Sequence, residues 1–175
     1  ADEIITGFGR TGTMFGLNHW GIEPDIIQFA KAITSGYFPL GGIGVSDEIA
    51  TTIETADGPY LHGYTYNGHP IGCAVALANI DIIEREGFVQ QAREKGELLL
   101  TGLREVFSDH PFVGNIRGKG LMCAVEFVRD PSTKEAFASK EEIGNRIHEA
   151  TQQRGLFMRV RGDTFCLAPP IITAV

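Results

Sequence analysis

One lysine lies in a part of the sequence that is otherwise apolar or rich in glycine. Lys31 stands near the middle of IIQFAKAITSGYFPLGG. Burial among apolar neighbours would lower the pKa of its amine and leave a neutral nucleophile able to attack a carbonyl carbon. A lysine at this place could equally extend from the end of a strand into water. The local sequence leaves both interpretations open.

Three other short stretches carry residue types that act in catalysis or in phosphate binding. The glycines of GFGRTG, residues 7–12, have the spacing of the dinucleotide-binding fingerprint, but that motif requires a helix directly after it. Gly16, Gly21 and Pro24 interrupt any helical period here, so the sequence predicts no nucleotide site. Asp2 by itself is typical of an acid at a strand end, and Thr65 in HGYTYNGHP is typical of a turn.

Composition narrows the class of function. The 175 residues are 43% hydrophobic, enough for a sizeable core, and the net charge of −7 argues against nucleic acid and against an anionic membrane surface as partners. Cys73, Cys123 and Cys166 are an odd number and widely spaced, which predicts three reduced thiols in a cytoplasmic protein and no metal site. The chain starts with ADEII and ends with PPIITAV, so we expect a piece of a longer protein.

Hydrophobic patterns predict an α/β chain in two parts. Short apolar runs at 4–5, 26–30 and 43–45 are typical of buried strands, whereas 71–86 and 88–107 have helical spacing and predict two helices, or one helix kinked at Gly87. The glycine-bounded stretch GNIRGKGLMCAVEFV then predicts one strand with alternate apolar residues on one face. We place a domain boundary here, with residues 1–108 in one domain and 109–175 in the other.

Two elements are predicted in the second domain. Ser139 and Glu142 have the spacing of a capping box ahead of a helix that ends at Arg154 and Gly155. A strand is predicted over residues 164–168.

Four motifs in order, DEIITGFGRTG, FAKAITSGYFPLGG, HGYTYNGHPIGCAVALA and RVRGDTFCLAPPIIT, closely resemble the class III pyridoxal-phosphate aminotransferases, the family of ω-amino acid:pyruvate transaminases. The resemblance covers essentially all 175 residues. It implies the α/β, fold-type I architecture of a PLP-dependent transferase, with part of the large cofactor domain and most of the small C-terminal α+β domain. The N-terminal half of such an enzyme is not in this sequence.

The resemblance also implies roles for individual residues. Lys31 matches the lysine that holds pyridoxal 5'-phosphate covalently and shuttles a proton, and Asp2 matches the aspartate that pairs with the pyridine nitrogen. Ile4 falls where the family places a branched apolar residue against the ring, a position that plain strand packing would also explain. Thr65 matches the threonine that reaches the phosphate of the neighbouring subunit's cofactor, which implies a homodimer. Arg159 matches the arginine that meets a substrate carboxylate.

The function implied is a transamination between an amine or amino acid and a keto acid such as pyruvate. Arg161 lies two residues from Arg159 and is the rival for the carboxylate, since two arginines on a strand edge are also typical of solvated charges. A related aminomutase or decarboxylating enzyme stays open as an alternative. So does a non-catalytic fragment, and we expect this chain to be inactive by itself.

Overall fold

The computed structural model describes residues 1–174. The chain forms two compact units, Ala1–Val89 and a second that starts at Gln90. The sequence-based boundary between residues 108 and 109 stays a prediction.

The first unit is built around a small sheet. Strands β1 (Ile26–Phe29) and β2 (Gly42–Val45) pair antiparallel, and the start of the chain pairs parallel with β1 through a bridge between Asp2 and Gln28. Helix α1 (Asp47–Thr55) follows β2, and helix α2 (Pro70–Arg85) starts with a proline in its first turn, where no backbone donor is lost.

Two details of the first unit differ from the sequence-based prediction. Ile4 and Ile5 lie in turns rather than in a strand, because the glycine loop follows them immediately. The strands near 26–30 and 43–45 exist, but they are not buried in this chain: Ile26 is 49% exposed and Ile43 is 65% exposed. The apolar runs at 26–30 and 43–45 therefore predicted their strands correctly and the burial of those strands wrongly.

Helix α2 provides the core of the first unit. Its buried Ala76 and Ile83 pack with Phe8 from the glycine loop and with Ile33 from the segment after β1. Helix α3 (Phe88–Val106) comes directly after α2, and Gly87 between them has a φ of +63°. A left-handed glycine is the common way to end a helix. Of the two predicted alternatives, two separate helices rather than one kinked at Gly87 are therefore confirmed.

The second unit contains an antiparallel sheet of four strands in the order β3-β4-β6-β5. The strands are β3 (Val113–Lys119), β4 (Met122–Phe127), β5 (Arg159–Arg161) and β6 (Thr164–Leu167), and helix α4 spans Ile143–Gln152. Val125, Phe127 and Phe165 are buried in the core of this unit. Apolar residues alternate along β4 as predicted, and the strand near 164–168 is confirmed.

Two predictions for the second unit are wrong. The single strand over 114–128 is a hairpin, because Gly120 takes a φ of +51° and reverses the chain between β3 and β4. The capping box at Ser139 and Glu142 does not form, since Glu142 is itself left-handed and α4 starts after it. The amide of Gly144 donates instead to the carboxylate of Asp163 over 3.1 Å.

None of the helices in residues 1–174 combines the length and the apolar character needed to cross a bilayer.

Candidate functional site

The backbone brings Asp2 and Lys31 onto neighbouring segments that run in the same direction. Gln28 in β1 donates its amide to Ala1 O over 2.9 Å and accepts the amide of Glu3 over 2.9 Å, which places Asp2 beside Gln28. Lys31 follows Gln28 by three residues. With a rise of about 3.3 Å per residue along β1 and segments about 4.8 Å apart, the Cα atoms of Asp2 and Lys31 are separated by roughly 11 Å. A carboxylate and an amine therefore stand at the same end of two paired segments.

Lys31 has an unusual backbone conformation. It begins a short 3-10 helix, Lys31–Ile33, with a φ of +48°, a region that costs a residue other than glycine about 1–2 kcal/mol. The side chain is exposed. Burial by apolar neighbours, one of the two interpretations of the sequence, is therefore wrong for this chain, because the left-handed turn directs the chain out of β1 before the apolar residues that follow.

Side-chain hydrogen bonds stabilise the turn after Lys31. The Asn79 side-chain amide in α2 donates to Ala32 O over 2.8 Å and to Ile33 O over 3.0 Å. The Asn79 carbonyl oxygen accepts the hydroxyl of Ser35 over 2.7 Å. Thr34 is 1% exposed and donates its hydroxyl to Phe38 O over 2.6 Å. Sequence reasoning missed Asn79; the only signal was one amide side chain within an alanine-rich helix.

Asp2 and its neighbour Glu3 have different roles. The Asp2 carboxylate is exposed and accepts the Ile4 amide over 3.0 Å, which orients it. Glu3 is 2% exposed, and its two carboxylate oxygens accept the amides of Gly16 and Leu17 over 2.8 Å each. The Thr6 hydroxyl also donates to Glu3. Glu3 thus holds the start of the 3-10 helix that follows the glycine loop, a role that the sequence analysis did not identify.

The glycine loop itself is a compact series of turns. Gly9 and Gly12 have φ values of +97° and +84°, and a Cβ on Gly7 would meet Glu3 O at 2.8 Å. The loop leads into a five-residue 3-10 helix, Gly16–Trp20, that ends at left-handed Gly21. Residues 13–25 contain no α-helix, which confirms that Gly16, Gly21 and Pro24 interrupt the helical period after GFGRTG.

The remaining residues predicted for the first unit are also exposed or half-buried. Ile4 is half-buried next to Asp2. Thr65 is exposed and lies in the turn over residues 65–68, just before α2 begins at Pro70. Ring nitrogen Nδ1 of His69 accepts the Gly72 amide over 3.5 Å at this helix end. Thr65 therefore precedes the N-terminus of the 16-residue helix α2 by five residues.

Arg159 belongs to the second unit. Arg159 and Arg161 lie at the ends of β5, are both exposed, and project from the same face because side chains alternate along a strand. Arg159 lines an open cavity of about 580 Å³ together with α4 residues Asn145 and His148. Among the residues that the structure describes, Arg161 is outside that lining. The two arginines therefore differ in position: Arg159 lines this cavity and Arg161 does not.

Burial shifts the pKa of two groups away from these residues. Burial lowers the pKa of Arg10, in the glycine loop, from its usual value. Burial also raises the pKa of the Cys123 thiol, an effect that the charge on Arg104 opposes. Burial thus favours the protonated thiol of Cys123.

Comparison with known proteins identifies the family. Residues 1–174 match the sequence model of the family Aminotransferase class-III. The crystal structure of an (S)-enantioselective omega-transaminase from Thermomicrobium roseum is 50% identical, with a TM-score of 0.94 over 99% of this chain and 38% of that one. An amine transaminase from an uncultivated Pseudomonas species, in its PLP-bound form, is 40% identical, with a TM-score of 0.93 over 98% of this chain and 39% of that one.

A curated relative agrees with these matches. The putrescine–pyruvate aminotransferase of Pseudomonas aeruginosa is 41% identical over 172 residues, which are 98% of this chain and 37% of that protein. The chain therefore belongs to the class-III aminotransferase family, and the predicted family and fold class are confirmed. It spans 34–38% of the length of the curated relatives that it matches.

Proposed function

We propose that the protein containing this chain is a PLP-dependent transaminase that moves an amino group between an amine or amino acid and a keto acid such as pyruvate. The observation that carries the proposal is the placement of Asp2 and Lys31 at the same end of two paired segments. The similarity to proteins named as transaminases supports it, and the pyruvate in the name of one relative supports the choice of keto acid.

The residues present fit pyridoxal 5'-phosphate. An amine and a carboxylate, both exposed, are carried by residues whose Cα atoms are roughly 11 Å apart, which leaves room between them for a ring. The amine suits an aldehyde carbon, and the carboxylate suits a protonated ring nitrogen. The similarity to a transaminase solved in its PLP-bound form also supports this cofactor. When bound, the cofactor supplies an electron-accepting ring that stabilises negative charge on a substrate carbon.

Lys31 and Asp2 would carry the chemistry of this chain. Nζ of Lys31 would attach the cofactor, and once released it would hold and move the proton at the substrate carbon that bears the nitrogen. The carboxylate of Asp2, oriented by the Ile4 amide, would stabilise positive charge on the ring nitrogen. Ile4, half-buried beside it, would pack against one face of the ring.

Substrate and phosphate would be held by two further residues. Arg159, on the lining of the 580 Å³ cavity, would pair with a substrate carboxylate, because a guanidinium binds a carboxylate in a bidentate manner. Thr65 would donate its hydroxyl to the phosphate of the cofactor in a neighbouring subunit of a homodimer. Its exposure and its place before α2 support this role.

The proposal includes a cytoplasmic location. The three cysteines carry free thiols, as is usual in a reducing compartment.

The test is amino transfer by the full-length protein that contains this chain. Lys31→Ala should abolish transfer from an amine to pyruvate, because the reacting amine is lost. Lys119→Ala, which removes another exposed lysine, is the matched control and should leave the rate unchanged. Transfer at the normal rate by Lys31→Ala would refute the proposed function.

A further inference from the structure

Both the nitrogen and the oxygen of the Asn79 side-chain amide form hydrogen bonds with the turn that contains Lys31. Its nitrogen donates to the carbonyl oxygens of Ala32 and Ile33, and its oxygen accepts the Ser35 hydroxyl, at 2.8, 3.0 and 2.7 Å. These partners are 44–47 residues away in sequence. Asn79 therefore ties the residues directly after Lys31 to helix α2.

The backbone of this turn combines two left-handed residues with backbone hydrogen bonds of ordinary length, 3.0–3.2 Å. Lys31 and Ser35 both have a φ of +48°, a conformation that costs free energy in residues with a Cβ. The backbone bonds within the turn, from Ile33 N to Ala30 O and from Thr34 N to Lys31 O, are 3.2 Å long. The bonds to Asn79 are shorter, and they help to offset the cost of the left-handed residues.

Helix α2 is packed into the core of the first unit at the positions next to Asn79. Ala76 and Ile83 lie three residues before and four residues after Asn79, so all three are close on one face of the helix. Both apolar residues are buried in the core with Ile33, which belongs to the same turn as Lys31. Asn79 therefore connects the turn to the most buried part of the first unit.

We propose that Asn79 is a positioning residue for Lys31: it holds the left-handed turn in which Lys31 leaves the end of β1. Asn79 acts through the backbone of Ala32 and Ile33 and does not touch the reacting atoms. This inference rests on the proposed function, in which Lys31 is the reacting lysine.

The test compares Asn79→Ala and Asn79→Asp with the unmodified full-length protein. Aspartate has the same shape but presents an acceptor to two carbonyl oxygens, so it should disrupt the turn as much as alanine. The control is Asp81→Ala, an exposed position on the same helix. Two quantities are measured: hydrogen exchange of the peptide over residues 31–37 without cofactor, and the rate at which pyridoxal phosphate and borohydride label Lys31.

Both Asn79 variants should exchange the turn amides about tenfold faster or more, and label Lys31 about tenfold more slowly. Exchange in β3 and β4 should stay unchanged, and kcat should fall while KM for the amine stays constant. A merely structural role would not produce this pattern. Turn exchange and labelling at the rates of the unmodified protein would overturn the inference.

The two proposals can fail separately. If the unmodified protein is never labelled at Lys31, the proposed function is wrong, and the exchange measurement still decides whether Asn79 holds the turn. If neither Asn79 variant folds, Ser35→Ala removes only the bond to the Asn79 oxygen. That variant should exchange the turn about threefold faster, and unchanged exchange would overturn the role of Asn79.

Discussion

Glu3→Gln should destabilise the 3-10 helix Gly16–Trp20 by an amount that follows from two hydrogen bonds. The two carboxylate oxygens of Glu3 each accept one backbone amide, from Gly16 and from Leu17, in a site that is 2% exposed. Glutamine keeps one oxygen but presents an NH₂ group to the second amide, which is then left without an acceptor. A buried donor without a partner costs about 1–3 kcal/mol.

This cost converts directly into an exchange rate. Since about 1.4 kcal/mol corresponds to a factor of ten, the segment Gly16–Trp20 should open about 5- to 150-fold more often in Glu3→Gln. The assay is hydrogen exchange of this segment in the full-length protein. Thr6→Val removes only the hydroxyl that donates to Glu3 and should give a smaller increase.

Glu54→Gln, at an exposed position of α1, is the control for loss of a carboxylate and should change nothing. If the amides of Gly16–Trp20 exchanged in Glu3→Gln at the rate of the unmodified protein, the Glu3 carboxylate would not hold this helix in place.

Three further predictions concern the proposed site in the full-length protein. Asp2→Asn should still bind the cofactor but lose several orders of magnitude in turnover, measured by steady-state kinetics; near-normal turnover would exclude its role at the ring nitrogen. Mixing Thr65→Ala subunits with Lys31→Ala subunits should restore about one competent site per mixed dimer; mixed dimers without activity would exclude a Thr65 that acts across subunits. Arg159→Ala should raise KM for pyruvate by about tenfold or more and affect an amine without a carboxylate much less, whereas Arg161→Ala should not; the reverse result would assign the carboxylate to Arg161.

Local sequence patterns correctly predicted the helices and strands that neighbouring residues are enough to determine. The alanine-rich period and the glycine at 87 were enough for α2 and α3, and alternation was enough for β4 and β6. The hairpin between β3 and β4 was missed because the apolar alternation lies in β4 alone. β3 carries only Val113 and Ile116 as apolar side chains, so it gave no strand signal of its own and was joined to the strand that follows Gly120.

Hydrogen bonds between residues far apart in sequence explain the wrong start of α4 and the two side chains that were missed. The start of α4 is fixed by Asp163, which lies 19 residues from its partner Gly144, so the capping-box pattern at Ser139 had no effect. Glu3 and Asn79 were missed for the same reason, since Glu3 bonds amides 13 and 14 residues away and Asn79 bonds residues 44–47 away. Motif order identified the family, whereas the side chains that hold the motifs in place required the structure.

The most direct test of the proposed function is the mass of the Lys31 peptide after the full-length protein is incubated with pyridoxal phosphate and reduced with borohydride. The proposal predicts a phosphopyridoxyl adduct on Lys31 that forms at stoichiometric cofactor, with no such adduct in Lys31→Ala. An unmodified Lys31 peptide, or an adduct on another lysine at the same cofactor concentration, would contradict it.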